Sequence, residues 1–283
     1  MLNRKRDDAR IRRMGLRAVA LLAVLVTMLG TSGCTTVPTS GRFIDEVFPT
    51  VTSSLNLVYG SAPDENGATE TLRLDLFQPQ GDTRALRPAI IFIHGGSFCC
   101  GNRTYERANA EAFARRGYVT VAISYRLRTG DLGQAIVDAK HDAQAAVRWL
   151  RANATQYRID TDRIVAAGSS AGAITALNVG NNPEDPGNSG NPGYPSDVSA
   201  AVSVSGFGGY FSPGDAPAIL FHGTADETVP YQTAVSTCEQ ARANGNVCEL
   251  NTFEGGRHNL SPYIAEIYRL ASAFLYRQLH LTQ

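Results

Sequence analysis

The sequence predicts an α/β protein with a mainly parallel, eight-stranded sheet, helices on both faces and a minimal cap. Short apolar runs without alternation, such as Ala89–Ile93, are typical of parallel strands covered on both faces. These runs alternate along the chain with helical stretches, as right-handed strand–helix–strand crossovers require. With 283 residues, 43% of them hydrophobic, the chain is long enough to bury a large core.

The first two predicted strands, Asn56–Tyr59 and Leu72–Gln78, differ from the others. In the second, Leu72, Leu74 and Leu76 alternate with other residues before Pro79 ends the strand. Alternation indicates that one face of the strand is solvated, so this pair is predicted to be an antiparallel edge of the sheet.

The remaining elements follow from apolar runs and helical spacing between turn residues. Further strands are predicted at Pro88–Ile93, Tyr118–Ser124, Arg163–Ala167, Val198–Val204, Ala218–Phe221 and Val247–Phe253. Helices are predicted near Tyr105–Arg116 and Gln134–Asn153, directly after Gly172, and at Tyr231–Ala243 and Pro262–Leu279. Residues 181–197 are rich in Asn, Pro and Gly and are predicted to form a loop.

The first 33 residues resemble an export signal. A basic region ends at Arg17, an apolar stretch follows from Ala18 to about Leu29, and small residues precede Cys34. The apolar stretch is shorter than the ~20 residues of a membrane span. Small residues before a cysteine resemble the bacterial lipoprotein cleavage site, although Thr31 stands where leucine is usual. Cys34 is therefore predicted to be lipidated, in a protein that is exported as a cell-envelope lipoprotein or secreted; an uncut signal-anchor helix is the alternative.

Charge is unevenly distributed along the chain. The first 17 residues hold seven basic and two acidic residues, which leaves 19 basic and 24 acidic residues in the remainder. A mature chain without this segment is acidic, which argues against a nucleic-acid partner. Residues 34–54, rich in Thr, Ser and Pro, are predicted to be a flexible tether, and residues 55–283 the folded domain. Membrane contact is expected only through the lipid anchor or the signal segment.

Residues 168–172 read G-S-S-A-G between a predicted strand and a predicted helix. A serine in G-x-S-x-G at such a junction is the signature of a nucleophile elbow. The chain must reverse within a few residues and hold the serine in a strained conformation, so the positions two residues away must lack bulk. Ser170 is thus the candidate nucleophile and the amide of Ala171 a candidate oxyanion donor; a Gly/Ser-rich turn is the alternative.

A serine hydroxyl is a poor nucleophile and needs a base, a group that orients the base, and donors for the oxyanion. Residues 94–98, which read H-G-G-S-F, follow a buried strand, and the amides of Gly96 and Ser97 are candidate donors; a plain turn is the alternative. Asp226 follows another buried strand and precedes a helix start at Pro230, with Glu227 as the alternative acid.

His258, in the loop after the last strand, is the candidate base. The other four histidines lie in the oxyanion loop, at the strand end before the acid, inside a long helix and at the tail: His94, His222, His141 and His280. The chain order Ser170, Asp226, His258 is that of α/β-hydrolases.

Residues from about 56 to 279 resemble the α/β-hydrolase fold, specifically secreted bacterial carboxylesterases related to the hormone-sensitive-lipase and feruloyl- or acetyl-esterase groups. The resemblance is carried by residues 74–79, 94–98, 124–127, 142, 149–151, 159–164, 168–172, 222–230 and 255–258. It implies that Ser170, Asp226 and His258 form a triad, with an oxyanion hole from Ala171 and Gly96 or Ser97. The sequence shows no metal-ligand pattern and no phosphate loop, so no cofactor is expected.

The predicted cap is short, because only Ser205–Ala216 fills the position where many lipases carry a long insertion. A short cap favours small or polymer-attached esters. Phe207, Tyr210 and Phe211 are predicted either to line an acyl or aryl pocket or to close the edge of the core.

An exported protein meets oxidising conditions, so Cys238 and Cys248 are predicted to form a disulfide, with two buried thiols as the alternative. Cys99 and Cys100 are either free or joined in a vicinal bridge.

The predicted function is an exported serine carboxylesterase that forms an acyl-enzyme. One alternative is a peptidase of the prolyl-oligopeptidase type, which usually carries a large extra domain. Another is a non-catalytic surface binding protein, which normally lacks a triad member.

Overall fold

The computed structural model describes residues 37–181, 183–209 and 211–283. It contains the strands β1 Val51–Pro63, β2 Thr69–Pro79, β3 Arg87–Ile93, β4 Val119–Ile123, β5 Ile159–Ser169, β6 Ala200–Val204, β7 Ala218–Gly223 and β8 Cys248–Phe253. They form one sheet in the order β1-β2-β4-β3-β5-β6-β7-β8. The β1–β2 and β2–β4 pairs are antiparallel and the others parallel, which confirms the predicted architecture.

The helices are α1 Arg107–Arg115, α2 Leu132–Ala152, α3 Ala154–Tyr157, α4 Ala171–Asn181, α5 Tyr231–Ala243 and α6 Ile264–Gln278. Short 3-10 turns precede α1 and α6, at Arg103–Glu106 and Ser261–Tyr263. The Asp131 carboxylate caps α2 by accepting the amide of Gln134 at 3.1 Å. The one-turn helix α3 was not predicted from the sequence.

Strand β3 shows how the two faces of the sheet are used. Ile91 and Ile93 belong to a core that the sheet forms with α2 and α4. Ile90 and Phe92 point to the opposite face, into a core that the sheet forms with α1 and α6. Side chains alternate between the faces of a strand, so a fully apolar strand must be covered on both sides.

The N-terminal part of the described chain departs from the prediction. Phe43 is fully buried, with its ring centroid 5.1 Å from that of Tyr118. Arg42 forms a bidentate ion pair with Asp82 at 2.6–2.8 Å, and β1 begins at Val51. Residues 41–54 are therefore part of the folded domain, whereas their composition indicated a flexible tether. The predicted signal segment and Cys34 lie outside the described residues.

Candidate active site

The turn between β5 and α4 presents Ser170 in a strained conformation. Its φ is 53°, in the left-handed region that side chains other than glycine rarely adopt. A Cβ at Gly172 would lie 1.9 Å from the carbonyl oxygen of Ile93, and one at Gly168 would lie 2.4 Å from the carbonyl group of Gly172. The glycines two residues on either side of Ser170 are thus required sterically, because β3 and the turn approach each other closely.

A continuous chain of hydrogen bonds runs from Ser170 to Asp226. The hydroxyl of Ser170 lies 2.9 Å from Nε2 of His258, and Nδ1 of His258 lies 2.8 Å from Oδ2 of Asp226. Because a carboxylate can only accept, Nδ1 carries the proton and Nε2 accepts from the serine hydroxyl. The imidazole is held in the tautomer that a general base for Ser170 requires.

The Asp226 carboxylate is buried, and both of its oxygen atoms accept hydrogen bonds. Its Oδ1 accepts the amides of Thr228 and Val229, both at 2.9 Å, and its Oδ2 accepts from His258. Burial alone would raise the pKa of this carboxyl group. The hydrogen bonds from His258, Val229 and Thr228 outweigh that cost and hold the pKa below its usual value. The neighbouring Glu227 is exposed, so Asp226 is the acid that the fold brings to His258.

Two further residues contact Ser170's partners in the triad, and these contacts were not predicted from the sequence. The buried His222 places Nε2 2.9 Å from the carbonyl oxygen of Val229 and 3.1 Å from Oδ2 of Asp226. Ser205, with a φ of 56°, donates its hydroxyl to the carbonyl oxygen of His258 at 2.8 Å. His222 is the penultimate residue of β7 and Ser205 directly follows β6, so their position at the carboxyl edge of the sheet was the signal that the sequence offered.

The loop after β3 lies beside the elbow. Gly96, Ser97 and Phe98 all have positive φ values, of 124°, 53° and 63°. A Cβ at Gly95 would lie 3.2 Å from Cβ of Ser170, which places this loop against the nucleophile. Ser97 thus adopts the left-handed conformation that a glycine would adopt without strain.

His94 anchors the start of this loop. Its buried ring stacks on Tyr125 with centroids 4.3 Å apart, and Nδ1 lies 2.7 Å from the carbonyl oxygen of Gly95. Burial lowers the pKa of His94. At the other end of the loop, Cys99 and Cys100 are exposed free thiols with their sulfur atoms 3.4 Å apart.

A cavity of about 590 Å³ adjoins Ser170 and His258 on the sheet face covered by α1 and α6. Most of its walls are apolar, from side chains that include Phe92, Phe113, Val202, Ile267 and Leu275. A polar strip is formed by Glu106, Asn109, Ser169 and Tyr268.

The aromatic residues predicted either to line a pocket or to close the core edge take the second role where they are described. Phe207 packs on the core under α2 and α4, and Phe211 packs in a third core with Leu177, Leu220 and Cys238. Tyr210 lies outside the described residues. The predicted disulfide between Cys238 and Cys248 is present, with the Cα atoms 5.3 Å apart, and joins α5 to β8.

The described residues contain no group of three or more histidine, cysteine, aspartate or glutamate residues placed to bind a metal. In the same part of the chain, no helix is long and apolar enough to cross a membrane.

The sequence of this chain is similar to those of known hydrolases. Residues 74–206 match the BD-FAE family model. The phenmedipham hydrolase of Pseudarthrobacter oxydans is 30% identical over 132 residues, which cover 44% of this chain and 26% of that protein. Esterase LipC of Mycobacterium tuberculosis is 29% identical over 139 residues, covering 48% and 34%. The chain spans half or less of the length of its curated relatives.

Solved structures match over more of their length. The esterase Est2 of Thermogutta terrifontis with bound propionate has a TM-score of 0.70 and 27% identity, covering 83% of this chain and 97% of that chain. The same esterase phosphorylated by paraoxon also has a TM-score of 0.70, at 28% identity and the same coverage. These likenesses support a hydrolase that acts on carboxylic esters.

Proposed function

We propose, from the premise that this chain is an α/β-hydrolase of the carboxylesterase type, that it hydrolyses carboxylic esters through Ser170, His258 and Asp226. The observation that carries the proposal is the hydrogen-bonded chain from the Ser170 hydroxyl through both imidazole nitrogens to Asp226. The same three residue types in this arrangement support acyl transfer on several unrelated folds.

In the first half of the reaction, Oγ of Ser170 attacks the ester carbonyl carbon while Nε2 of His258 takes the hydroxyl proton. The carbonyl oxygen becomes an oxyanion, which the amides of Ala171 and of Gly96 or Ser97 stabilise. The bond to the leaving oxygen then breaks, and His258 returns the proton to the departing alcohol. An acyl-enzyme on Ser170 remains.

In the second half, a water molecule replaces the alcohol. His258 takes a proton from the water as its oxygen attacks the acyl carbon, and the bond to Oγ of Ser170 breaks as His258 returns the proton to the serine. Asp226 stays ionised throughout, because its lowered pKa favours the carboxylate, and it stabilises the imidazolium that forms twice per turnover.

The proposed substrates are small or polymer-attached esters with one substituent that fits the apolar cavity of about 590 Å³ beside Ser170. A cavity of this size accommodates a small organic group. The related Thermogutta terrifontis esterase has been solved with propionate and with butyrate bound. Those short acids are consistent with the cavity, and no cofactor enters the proposed reaction.

The proposal includes export, as a lipoprotein of the cell envelope or as a secreted protein. The export-like segment and Cys34 lie outside the described residues, and the disulfide Cys238–Cys248 supports an oxidising compartment. Replacement of Cys34 by alanine in the native host tests lipidation. We expect the variant to leave the membrane fraction, and full retention there would contradict an anchor at Cys34.

A panel of small esters and peptide amides, assayed with wild-type protein and Ser170→Ala, tests the reaction class. We expect ester turnover by the wild type, none above background in the variant, and slow or absent amide cleavage. Faster turnover of amides than of esters would favour the peptidase alternative. The absence of any turnover in the wild type would favour a binding protein.

A further inference from the structure

Glu106 is a buried acid beside the nucleophile that the proposed reaction does not use. It ends the 3-10 turn before α1, is 4% exposed and lines the cavity next to Ser170. Its Oε1 accepts the hydroxyl of Ser169 at 2.8 Å, and its Oε2 accepts the side-chain amide of Asn109 at 2.5 Å. Since Ser169 directly precedes Ser170, the carboxylate lies close to the reacting centre.

This carboxylate has no cation partner in the described part of the chain. Among the described residues, the groups that act on the Glu106 carboxylate are the neutral side chains of Asn109 and Ser169. A carboxylate offers about four lone-pair positions, and two donors occupy only two of them. Burial raises the pKa of Glu106, and the bonds from Asn109 and Ser169 offset this only in part. The side chain therefore retains unused capacity to accept hydrogen bonds.

The acceptor is held in place rather than free to turn away. Asn109, which donates to Glu106, itself accepts the hydroxyl of Tyr268 across the cavity from α6. Burial raises the pKa of Tyr268 to about 12, so its hydroxyl remains a donor at neutral pH. Around this fixed polar strip, the cavity walls from Phe92, Val202 and other side chains are apolar.

We propose that Glu106 determines substrate specificity by accepting a hydrogen bond from a hydroxyl group on the ester substituent that occupies the cavity. The inference rests on the proposed esterase function and names its substrate class: esters whose cavity-bound group is apolar except for one donor near the ester bond. A wholly apolar substituent would leave the buried carboxylate with only the two donors of Ser169 and Asn109, and the rest of its hydrogen-bonding capacity would be unsatisfied, which is costly for a buried charge.

Matched ester pairs that exchange a hydroxyl for a methyl group test this specificity. Methyl 3-hydroxybutanoate against methyl 3-methylbutanoate places the difference on the acyl side. 2-Hydroxypropyl acetate against 2-methylpropyl acetate places it on the alcohol side. In one of the two pairs, we expect wild-type kcat/KM to favour the hydroxyl ester by about tenfold or more, as a hydrogen bond to a charged acceptor allows.

The variant Glu106→Gln keeps the side-chain shape and removes the charge. We expect it to lower the hydroxyl-to-methyl ratio about fivefold or more, mainly by slowing the hydroxyl ester. The matched control is Glu111→Gln on the adjoining helix α1, where Glu111 is paired with Arg115 at 3.3 Å; its ratio should equal that of the wild type. A purely structural role for Glu106 would lower kcat/KM equally for both members of each pair.

Equal wild-type kcat/KM within both pairs would overturn the inference while leaving the esterase function intact. An unchanged ratio in a folded Glu106→Gln protein would also overturn it. If that variant does not fold, the wild-type ratios decide alone. Hydrolysis of no ester by the wild type would overturn the inference and the proposed function together.

Discussion

Two buried carboxylates lie near Ser170, and they differ in the hydrogen-bond donors that surround them. Asp226 accepts two backbone amides and the imidazole of His258, and its pKa is lowered. Glu106 accepts only the side chains of Ser169 and Asn109, and its pKa is raised. The two carboxylates have the same chemistry, so the difference comes from what the surrounding chain supplies.

The comparison separates two uses of a buried acid. The loop between β7 and α5 supplies Asp226 with donors that stabilise its charge permanently, as a group that orients and stabilises His258 requires. Glu106 accepts fewer hydrogen bonds from the protein, and in the proposed complex a donor group on the substrate would add a further one. We therefore propose that Asp226 is required for the hydrolysis of every ester, whereas Glu106 determines which esters are preferred.

The largest expected effect is on turnover in Asp226→Asn. An amide at this position can donate to Nδ1 and favour the wrong imidazole tautomer, so kcat should fall roughly 10⁴-fold while the fold is retained. Steady-state kinetics on a small ester and circular dichroism measure the two properties. Glu227→Gln is the control and should retain near wild-type activity; an inactive Glu227→Gln beside an active Asp226→Asn would show that the acid had been misassigned.

The next largest effect concerns the framework around Asp226. The disulfide Cys238–Cys248 ties α5, which follows the Asp226 loop, to β8, which leads to His258. Replacing both cysteines by serine should lower the free energy of unfolding by about 2–3 kcal/mol, as expected for a loop of this length. Denaturant titration without reductant measures it, and an unchanged midpoint would contradict a stabilising role.

A smaller effect is expected from His222, whose Nε2 contacts the carbonyl oxygen of Val229 and Oδ2 of Asp226. The variant His222→Phe keeps the ring volume but loses these contacts, so kcat should fall about tenfold, the equivalent of one hydrogen bond. The exposed His280 provides the control variant His280→Phe. Equal kcat in the two variants would mean that His222 does not position Asp226.

The smallest effect expected is on the pH dependence of stability, where the two carboxylates act in opposite directions. The raised pKa of Glu106 costs stability as pH rises above the usual glutamate value of about 4.3. The lowered pKa of Asp226 adds stability above about pH 3.9, and this is lost as pH falls through its folded value.

Unfolding curves at several pH values test both signs. Relative to the wild type, Glu106→Gln should gain stability from acid to neutral pH. Asp226→Asn should lose stability over the same range. The same direction in both variants would contradict the assigned environments.

Much of this site was predictable from the sequence, because its signals are local. The glycines around Ser170 and the loops after apolar strands predicted an elbow, an acid and a base at one edge of the sheet. The structure brings Ser170, His258 and Asp226 together there, while their catalytic roles remain predictions.

Other features depend on contacts between distant residues and had no local signal. Glu106 belongs to no sequence motif. Its proposed role in specificity follows from its position beside Ser169 and Asn109, whose side chains donate hydrogen bonds to it. Likewise, residues 41–54 have the composition of a tether, but Phe43 packs on Tyr118, which composition cannot reveal. The predictions for the signal segment and Cys34 stay predictions.

The central claim is that His258 activates Ser170 as the nucleophile, and mapping a covalent adduct tests it most directly. The protein would be treated with paraoxon, digested and analysed by tandem mass spectrometry, alongside Ser170→Ala and His258→Ala. The account predicts one phosphoryl adduct on Ser170, no adduct in Ser170→Ala and much slower labelling in His258→Ala. An adduct on the adjacent Ser169, or undiminished labelling in Ser170→Ala, would contradict it.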